Sequence, residues 1–198
     1  MNMIEELILL LGISSDTFAV MECRGSLIAT IEKKQLAAFC ALLALGQAAA
    51  LGTGASLSLL LCKHRMETHE AFLGQAVAAA IFLSLGIQLF LKAWQNERVI
   101  EHREEKPDLP AFAKPYVRTI LSALLAGLAF GLLQCTVSSL LVTMAILTVL
   151  SAILGVFTGY HFGFEHKRKA YLAGGALLVA GGMDIMLPYL WNISSAGL

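Results

Sequence analysis

The chain has 198 residues, of which 58% are hydrophobic and only 14% are charged, and its 14 basic and 14 acidic side chains leave no net charge. Soluble domains carry about a quarter charged residues, and a core of this size cannot hide so much apolar surface from water. The composition therefore excludes a water-soluble domain and predicts an integral membrane protein in a lipid bilayer, while the balanced charge gives no reason to expect nucleic acid as a partner.

Three apolar runs occupy the first half of the chain. They cover residues 4–21, 36–61 and 71–94, and short polar segments separate them. A helix that crosses a bilayer needs about 20 predominantly apolar residues. We therefore expect three transmembrane helices before residue 95.

A polar segment, residues 95–118, follows the third run. It contains Pro107, Pro110 and Pro115 and a dense run of charges without apolar periodicity, which predicts a solvated linker. Residues 119–163 are almost uninterruptedly apolar and too long for one span. We expect two helices there, with a tight turn at the weak polar break within 134–139.

The last apolar run, residues 171–191, completes the predicted fold class: an all-α integral membrane protein with six transmembrane helices. Lys and Arg are enriched in cytoplasmic loops. If both termini are extracytoplasmic, twelve basic residues fall inside and only Lys63 and Arg65 fall outside. We therefore expect a multi-pass plasma-membrane protein with extracytoplasmic termini and a cytoplasmic linker.

Short matches relate the two halves. Residues 86–91 resemble 182–187, and residues 49–52 resemble 152–155, although two short matches in apolar sequence can also arise by chance. Three helices per half would insert the halves in opposite directions, so we expect two inverted three-helix repeats, 1–94 and 119–198. Such an architecture is typical of secondary transporters, which bind substrate near the bilayer midplane.

Asp16 is the clearest candidate for a functional residue. It lies inside the first apolar run beside Ser14, Ser15 and Thr17, and a charged side chain at membrane depth costs about 2.5–3.5 kcal/mol on insertion scales. Hard divalent cations such as Mn²⁺ and Mg²⁺ prefer the oxygen ligands found here. Packing alone could also hold a hydrogen-bonded aspartate, but an unpaired carboxylate in mid-span has no cheap structural use.

Other polar residues at depth are open to two interpretations. Asp184 lies in the last run, either as a ligand or as a residue approaching the membrane boundary. Gln47, Gln88 and Ser122 can bridge helices through hydrogen bonds or offer oxygen atoms to a metal ion. For the two glutamines taken singly, the bridging role is favoured.

Glu22 ends the first run, and we expect it to pair with Arg24 at the interface. The five histidines lack the i, i+4 spacing of ligands on one helix face, so solvated positions are expected for them. The chain contains no nucleotide-binding, hydrolase or zinc-protease motif. We therefore expect no enzymatic activity and no cofactor, and transport driven by ion gradients or the membrane potential.

Residues 12–19, Gly-Ile-Ser-Ser-Asp-Thr-Phe-Ala, resemble the first-helix motif G-x-S-x-D-A-F-A of the MntP-type manganese efflux pumps, which belong to the lysine-exporter superfamily. The resemblance extends through Arg24-Gly25 and continues in the second half. Matching positions there are Thr119, Leu121-Ser122-Ala123, Gly127, Leu133-Gln134, Leu154-Gly155 and Gly174-Gly175. The resemblance implies export of a divalent cation, Mn²⁺, with Asp16 as principal ligand.

The chain departs from the family at several polar positions. The second family aspartate falls on Ser122, an acidic residue of the second helix falls on Gln47, and an Arg and a Glu of the third helix fall on Gln88 and Lys92. We hypothesise that Asp184 replaces the carboxylate missing at Ser122. The predicted metal ligands are Asp16, Asp184, Ser122, Gln47 and Ser15.

These departures keep two alternatives open. The lower negative charge could suit a related exporter of another small solute, such as an amino acid. A non-transporting membrane protein is the other possibility.

Overall fold

The computed structural model describes residues 3–27, 33–63, 70–94, 109–133, 135–163 and 166–196. Throughout these segments the regular secondary structure is α-helical, as expected in lipid, where a helix satisfies its backbone hydrogen bonds internally. The helices are α1 (Met3–Leu27), α2 (Lys33–Lys63), α3 (Glu70–Trp94), α4 (Leu109–Leu132), α5 (Val137–Phe162) and α6 (Lys167–Ala196).

The number of membrane-spanning helices differs from the prediction. Within the described segments, four helices have the length and composition to cross a bilayer: α2, α3, α5 and α6, through Cys40–Leu60, Gly74–Trp94, Val137–Phe162 and Lys167–Leu187. The apolar part of α4, Tyr116–Leu132, is shorter. The prediction of six transmembrane helices in two inverted three-helix repeats is therefore wrong, and the structure supports an all-α membrane protein with four spans and one shorter apolar helix.

Charged side chains explain the difference. The sequence-based count of apolar runs included α1 as a transmembrane span, although α1 contains Glu5, Glu6, Asp16, Glu22 and Arg24. A helix with this many charges is a poor partner for lipid. It is accommodated here because α1 packs against α5, α6 and α4 and so places most of its polar side chains against protein.

The second half of the chain becomes helical earlier than expected. α4 begins at Leu109, so the last ten residues of the predicted linker are helical, and residues 95–108 lie outside the described residues. Pro110 is tolerated because it occupies the first turn, where a missing backbone N–H leaves no hydrogen bond broken. The break between α4 and α5 falls at residues 133–136, overlapping the predicted turn.

The helices form one bundle. α1 packs on α5 and α6, α2 packs on α4 and α5, and α3 packs on α6 and α4. This set of pairs is unchanged when α1, α2 and α3 are exchanged with α4, α5 and α6. The division of the chain into halves at 1–94 and 119–198 stays a prediction.

Glycines allow the helix backbones to approach closely, as small residues do in membrane helix packing. A Cβ at Gly127 of α4 would overlap the backbone of Leu51 in α2, and one at Gly159 of α5 would overlap the backbone of Glu22 in α1. At Gly74, by contrast, the nearest atom to an added Cβ is the Leu132 carbonyl oxygen at 3.6 Å.

We expect Gly127→Ala to lower the free energy of unfolding by about 1–3 kcal/mol, because the added methyl group forces α2 and α4 apart. The matched change Gly74→Ala meets ordinary contact distances and should be neutral or stabilising by up to about 1 kcal/mol. Denaturant unfolding of the detergent-solubilised protein measures both. Equal effects would show that the α2–α4 contact is looser than the structure indicates.

Candidate ion site

A small cavity lies between α1, α3, α4 and α6, with room for about one water molecule. The α3 wall uses positions 85, 88, 89 and 92, a spacing that places all four side chains on one helix face. The lining residues are Ile13, Asp16, Leu85, Gln88, Leu89, Lys92, Ser122 and Leu178. Most of the wall is apolar, so the few polar groups determine what can bind.

Asp16 forms an ion pair inside this cavity. Its carboxylate is buried, and its Oδ1 lies 2.7 Å from Nζ of Lys92, whose side chain is 17% exposed. The Lys92 ammonium also lies 5.7 Å from the centre of the Tyr171 ring, close enough for a cation–π contact. The expectation of an unpaired carboxylate is therefore not met, and the pair makes the cavity electrically neutral.

The second carboxylate oxygen of Asp16, Oδ2, is held more weakly. Its partner is the Ser122 hydroxyl at 3.4 Å, and the same hydroxyl lies only 2.8 Å from the Thr119 carbonyl oxygen. Because a hydroxyl has one hydrogen to donate, the shorter contact with Thr119 takes most of it. Oδ2 therefore keeps its capacity to accept a hydrogen bond or to bind a cation.

Gln47 lies in a buried network next to this site. Its amide nitrogen donates a 2.6 Å hydrogen bond to the Thr17 hydroxyl, and its amide oxygen accepts one of 2.6 Å from Thr148. The network joins α1, α2 and α5 at the residue that follows Asp16. Gln47 thus bridges helices, and the oxygen predicted to be a ligand already has a partner.

Two other predicted ligands lie elsewhere. The Ser15 hydroxyl donates to the Gly12 carbonyl oxygen at 2.6 Å and packs against Gly174, towards α6. Asp184 is exposed on α6, ten residues beyond Gly174 and therefore about 15 Å further along the helix axis. Of the five predicted ligands, the structure brings Asp16 and Ser122 together in the cavity.

The cavity offers few donors to a metal ion. Across the described segments, no group of three or more His, Cys, Asp or Glu side chains is placed to hold one. A cation in this cavity could draw on oxygens of Asp16 and Ser122 and on the amide of Gln88, with water completing its shell. Because it offers so few protein ligands, such a site is suited to a transported ion and not to a permanently bound one.

Sequence reasoning missed the pairing of Lys92 with Asp16, and considered Lys92 only as a basic residue that sets orientation and as a departure from the family pattern. Lys92 follows Gln88 by four positions on α3, so both lie on the face that lines the cavity. A lysine before the end of an apolar run, on the same face as a polar residue, was the signal that could have identified it.

Comparison with known proteins reveals relatives along the whole chain. Residues 30–186 match the model of the Mntp family, described as "Putative manganese efflux pump". Proteins named "Putative manganese efflux pump MntP" are 24% identical in Photorhabdus laumondii, over 96% of both chains, and 27% identical in Acetivibrio thermocellus, over 98% of this chain and 95% of the relative. The relative from Fusobacterium nucleatum is 32% identical over 67% of this chain and 70% of its own. No solved structure matches.

Proposed function

Because this chain belongs to the Mntp family of "Putative manganese efflux pump" proteins, we propose that it exports Mn²⁺ from the cytoplasm and that Asp16 binds the ion. Its family consists of efflux pumps and not enzymes, and its long apolar helices make it a multi-pass membrane protein. Mn²⁺ is the transported substrate in this proposal and not a resident cofactor.

The size and chemistry of the cavity carry the proposal. A space for about one water molecule admits a single ion, whereas an amino acid would require the helices to separate first. The available Asp16 oxygen is a hard ligand, the type that Mn²⁺ prefers. A buried carboxylate beside an ion-sized space is the arrangement that an ion pathway through a membrane protein needs.

Lys92 acts in this proposal as an internal counter-ion. When no metal is bound, its ammonium group holds Asp16 at 2.7 Å and prevents an uncompensated buried charge, which would be strongly destabilising. An incoming Mn²⁺ competes with Lys92 for the carboxylate. This competition weakens the binding of Mn²⁺ to Asp16. It also favours release of Mn²⁺, because the Lys92 ammonium group then pairs with the carboxylate again.

Export of Mn²⁺ against an inside-negative potential requires free energy. Moving two charges outward costs about 4.6 kcal/mol per 100 mV, twice the value for one charge. No nucleotide-binding motif appears in the sequence, so the inward movement of another ion is the expected source.

A second candidate, export of a zwitterion such as an amino acid, is favoured by the same ion pair. Asp16 and Lys92 present a negative and a positive group side by side, which complements the ammonium and carboxylate groups of an amino acid. The ligand that the protein binds therefore distinguishes the two candidate functions.

Thermal unfolding of the purified protein in Mn²⁺, Mg²⁺ or amino acids separates the candidates. A ligand that binds only the folded state adds about 2.7 kcal/mol of stability at 100 times its Kd, and we expect this from Mn²⁺. Asp16→Asn should abolish the effect. Stabilisation by amino acids alone would establish the second candidate, and stabilisation by neither ligand class would favour a protein that does not transport.

The proposal also includes an orientation. Residues 95–118 carry Arg98, Arg103, Lys106, Lys114 and Arg118, and because basic residues are enriched in cytoplasmic loops, this segment is cytoplasmic in the proposal. A cysteine introduced by Glu104→Cys should resist a membrane-impermeant thiol reagent in intact cells and react in inverted vesicles, measured against the unmodified chain. The reverse labelling pattern would reject this orientation.

A further inference from the structure

Glu22 is a buried carboxylate that the proposed transport site does not use. Its side chain is 0% exposed, and its Oε1 accepts the backbone N–H of His166 at 2.9 Å. Its other oxygen, Oε2, is buried without a hydrogen-bond partner among the described residues. The sequence-based expectation placed Glu22 at the interface beside Arg24, whereas the structure buries it against α5 and the start of α6.

The imidazole of His166 faces the same carboxylate. Its Nδ1 lies 3.8 Å from Oε1 of Glu22, and this nitrogen is also buried without a hydrogen-bond partner in the described part of the chain. The His166 side chain is nevertheless 42% exposed, so a proton from water can reach the pair. Two titratable groups, each with an unsatisfied atom, therefore lie side by side within reach of solvent.

Burial favours the protonated form of Glu22. It raises the pKa of this carboxyl above its usual value, while the hydrogen bond and charge of His166 and the charge of Lys167 act in the opposite direction. A carboxylate oxygen buried without a donor is costly, and protonation removes the charge that makes it so.

The surroundings favour a proton over a divalent cation as the ligand. Lys167 of α6 acts on the carboxylate as a positive charge, together with His166. The α5 surface against Glu22 includes Gly155 and Gly159, and the titratable side chains that follow on α5, Tyr160 and His161, are both exposed. Positive neighbours repel Mn²⁺ more strongly than they repel a proton, because it carries twice the charge.

We propose that Glu22 and His166 form a proton-binding site at the C-terminal end of α1, and that proton exchange there is coupled to cation export. The coupling rests on the proposed function, whereas the proton site rests on Glu22 and His166 alone. When ionised, Glu22 ties α1 to the corner between α5 and α6 through the His166 N–H. When protonated, it loses the negative charge on which His166 and Lys167 act.

A change in the contacts of Glu22 affects the transport site because Glu22 and Asp16 lie on the same helix, α1. Glu22 and Asp16 are six residues apart on one helix, a rise of about 9 Å. A shift of α1 against α5 and α6 therefore moves the Asp16 carboxylate relative to Lys92 on α3 and Ser122 on α4. Protonation at one end of the helix thus alters the cation site.

A purely structural role makes different predictions. The Glu22 carboxylate of α1 contacts the N-terminal end of α6 through the His166 N–H, and a negative charge there is stabilised by the helix dipole. If that were its only function, Glu22→Gln would weaken the fold at neutral pH, and the carboxyl group at this position would ionise at or below the ordinary pKa of glutamate.

The first test uses the purified full chain and does not depend on transport. Infrared difference spectra recorded through a pH titration should show a carboxylic acid band that persists above the ordinary pKa of glutamate, that Glu22→Gln removes and that Glu6→Gln, a control on the same helix, retains. Because the folded-state pKa of Glu22 is raised, its contribution to stability is present at low pH and falls as pH rises through that pKa. Glu22→Gln should therefore be more stable than the parent above the folded-state pKa of Glu22, by a margin that shrinks as the pH falls below it.

The second test measures Mn²⁺ transport in proteoliposomes as a function of pH. The parent and Glu6→Gln should share one pH profile, with a slope of up to about tenfold per pH unit, and Glu22→Gln should flatten it. If Glu22→Gln does not fold, His166→Gln replaces it and should shift the pH midpoint of both the infrared band and transport. An unchanged profile with intact Mn²⁺ export overturns the coupling. A parent without Mn²⁺ export refutes the proposed function, and the infrared titration still decides the proton site.

Discussion

Replacing Asp16 with asparagine is expected to abolish manganese export. Asparagine keeps the size of the side chain but removes the charge that attracts the ion and the Oδ2 oxygen left free by Ser122. Even groups that only hold a metal ligand in place are worth about 10–100-fold in metal affinity, so loss of the ligand itself should lower affinity by about 100-fold or more. Manganese sensitivity of an exporter-deficient strain carrying each variant measures the result.

Asp184→Asn provides the matched control, because it makes the same chemical change on α6 at an exposed position outside the cavity. We expect it to retain manganese resistance. Loss of resistance in Asp184→Asn would instead support the hypothesis that Asp184 replaces the carboxylate missing at Ser122. Full resistance in Asp16→Asn, at equal protein abundance in the membrane, would remove Asp16 from the transport mechanism.

Replacing Lys92 with glutamine is expected to have the second large effect. It should lower the stability of the protein and strengthen the binding of Mn²⁺. Lys92→Gln leaves the Asp16 carboxylate buried without its counter-ion and should lower the free energy of unfolding by about 3 kcal/mol, the lower part of the range for broken buried pairs, because Lys92 is 17% exposed. The same change removes the competitor for the carboxylate. Mn²⁺ should therefore stabilise Lys92→Gln more than it stabilises the parent.

A double-mutant cycle isolates the interaction. Asp16→Asn combined with Lys92→Gln removes both charges, so the double variant should be more stable than Lys92→Gln alone. Thermal unfolding with and without Mn²⁺ gives both quantities. Additive effects of the two substitutions would show that the pair contributes nothing, and loss of Mn²⁺ binding in Lys92→Gln would show that the lysine assists the cation and does not compete with it.

The Lys92 variant also separates the two candidate functions. An amino acid bound between Asp16 and Lys92 needs the ammonium group of Lys92 for its carboxylate. Lys92→Gln should therefore weaken the binding of an amino acid while it strengthens the binding of Mn²⁺. The two hypotheses thus predict opposite signs for one measurement.

Sequence reasoning located the helices well. The apolar runs 36–61 and 71–94 correspond to α2 and α3 with ends shifted by a few residues, and the polar break after residue 133 separates α4 from α5. Helices can be predicted from sequence in this way because their hydrogen bonds are local and because lipid requires long apolar segments. The family membership implied by residues 12–19 was confirmed by the match over residues 30–186.

The same reasoning failed on the number of spans. It treated α1 as a transmembrane helix, and its charged residues, including Glu22, have an explanation only after the neighbouring helices are known. Hydropathy records what a segment contains and not what covers it. A helix with several charges can lie inside a bundle if other helices shield it, which is a property of packing.

The sequence by itself therefore determined the class of protein, the approximate helices, the family and the presence of an acidic residue at depth. Only the tertiary structure decided that Asp16 meets Lys92, 76 positions away, and that Glu22 meets His166, 144 positions away. Such contacts depend on how each helix is rotated and which neighbours it packs against, and one apolar run between others is compatible with many rotations. Local physics sets the helices, and the packing of those helices sets the charge partners on which function depends.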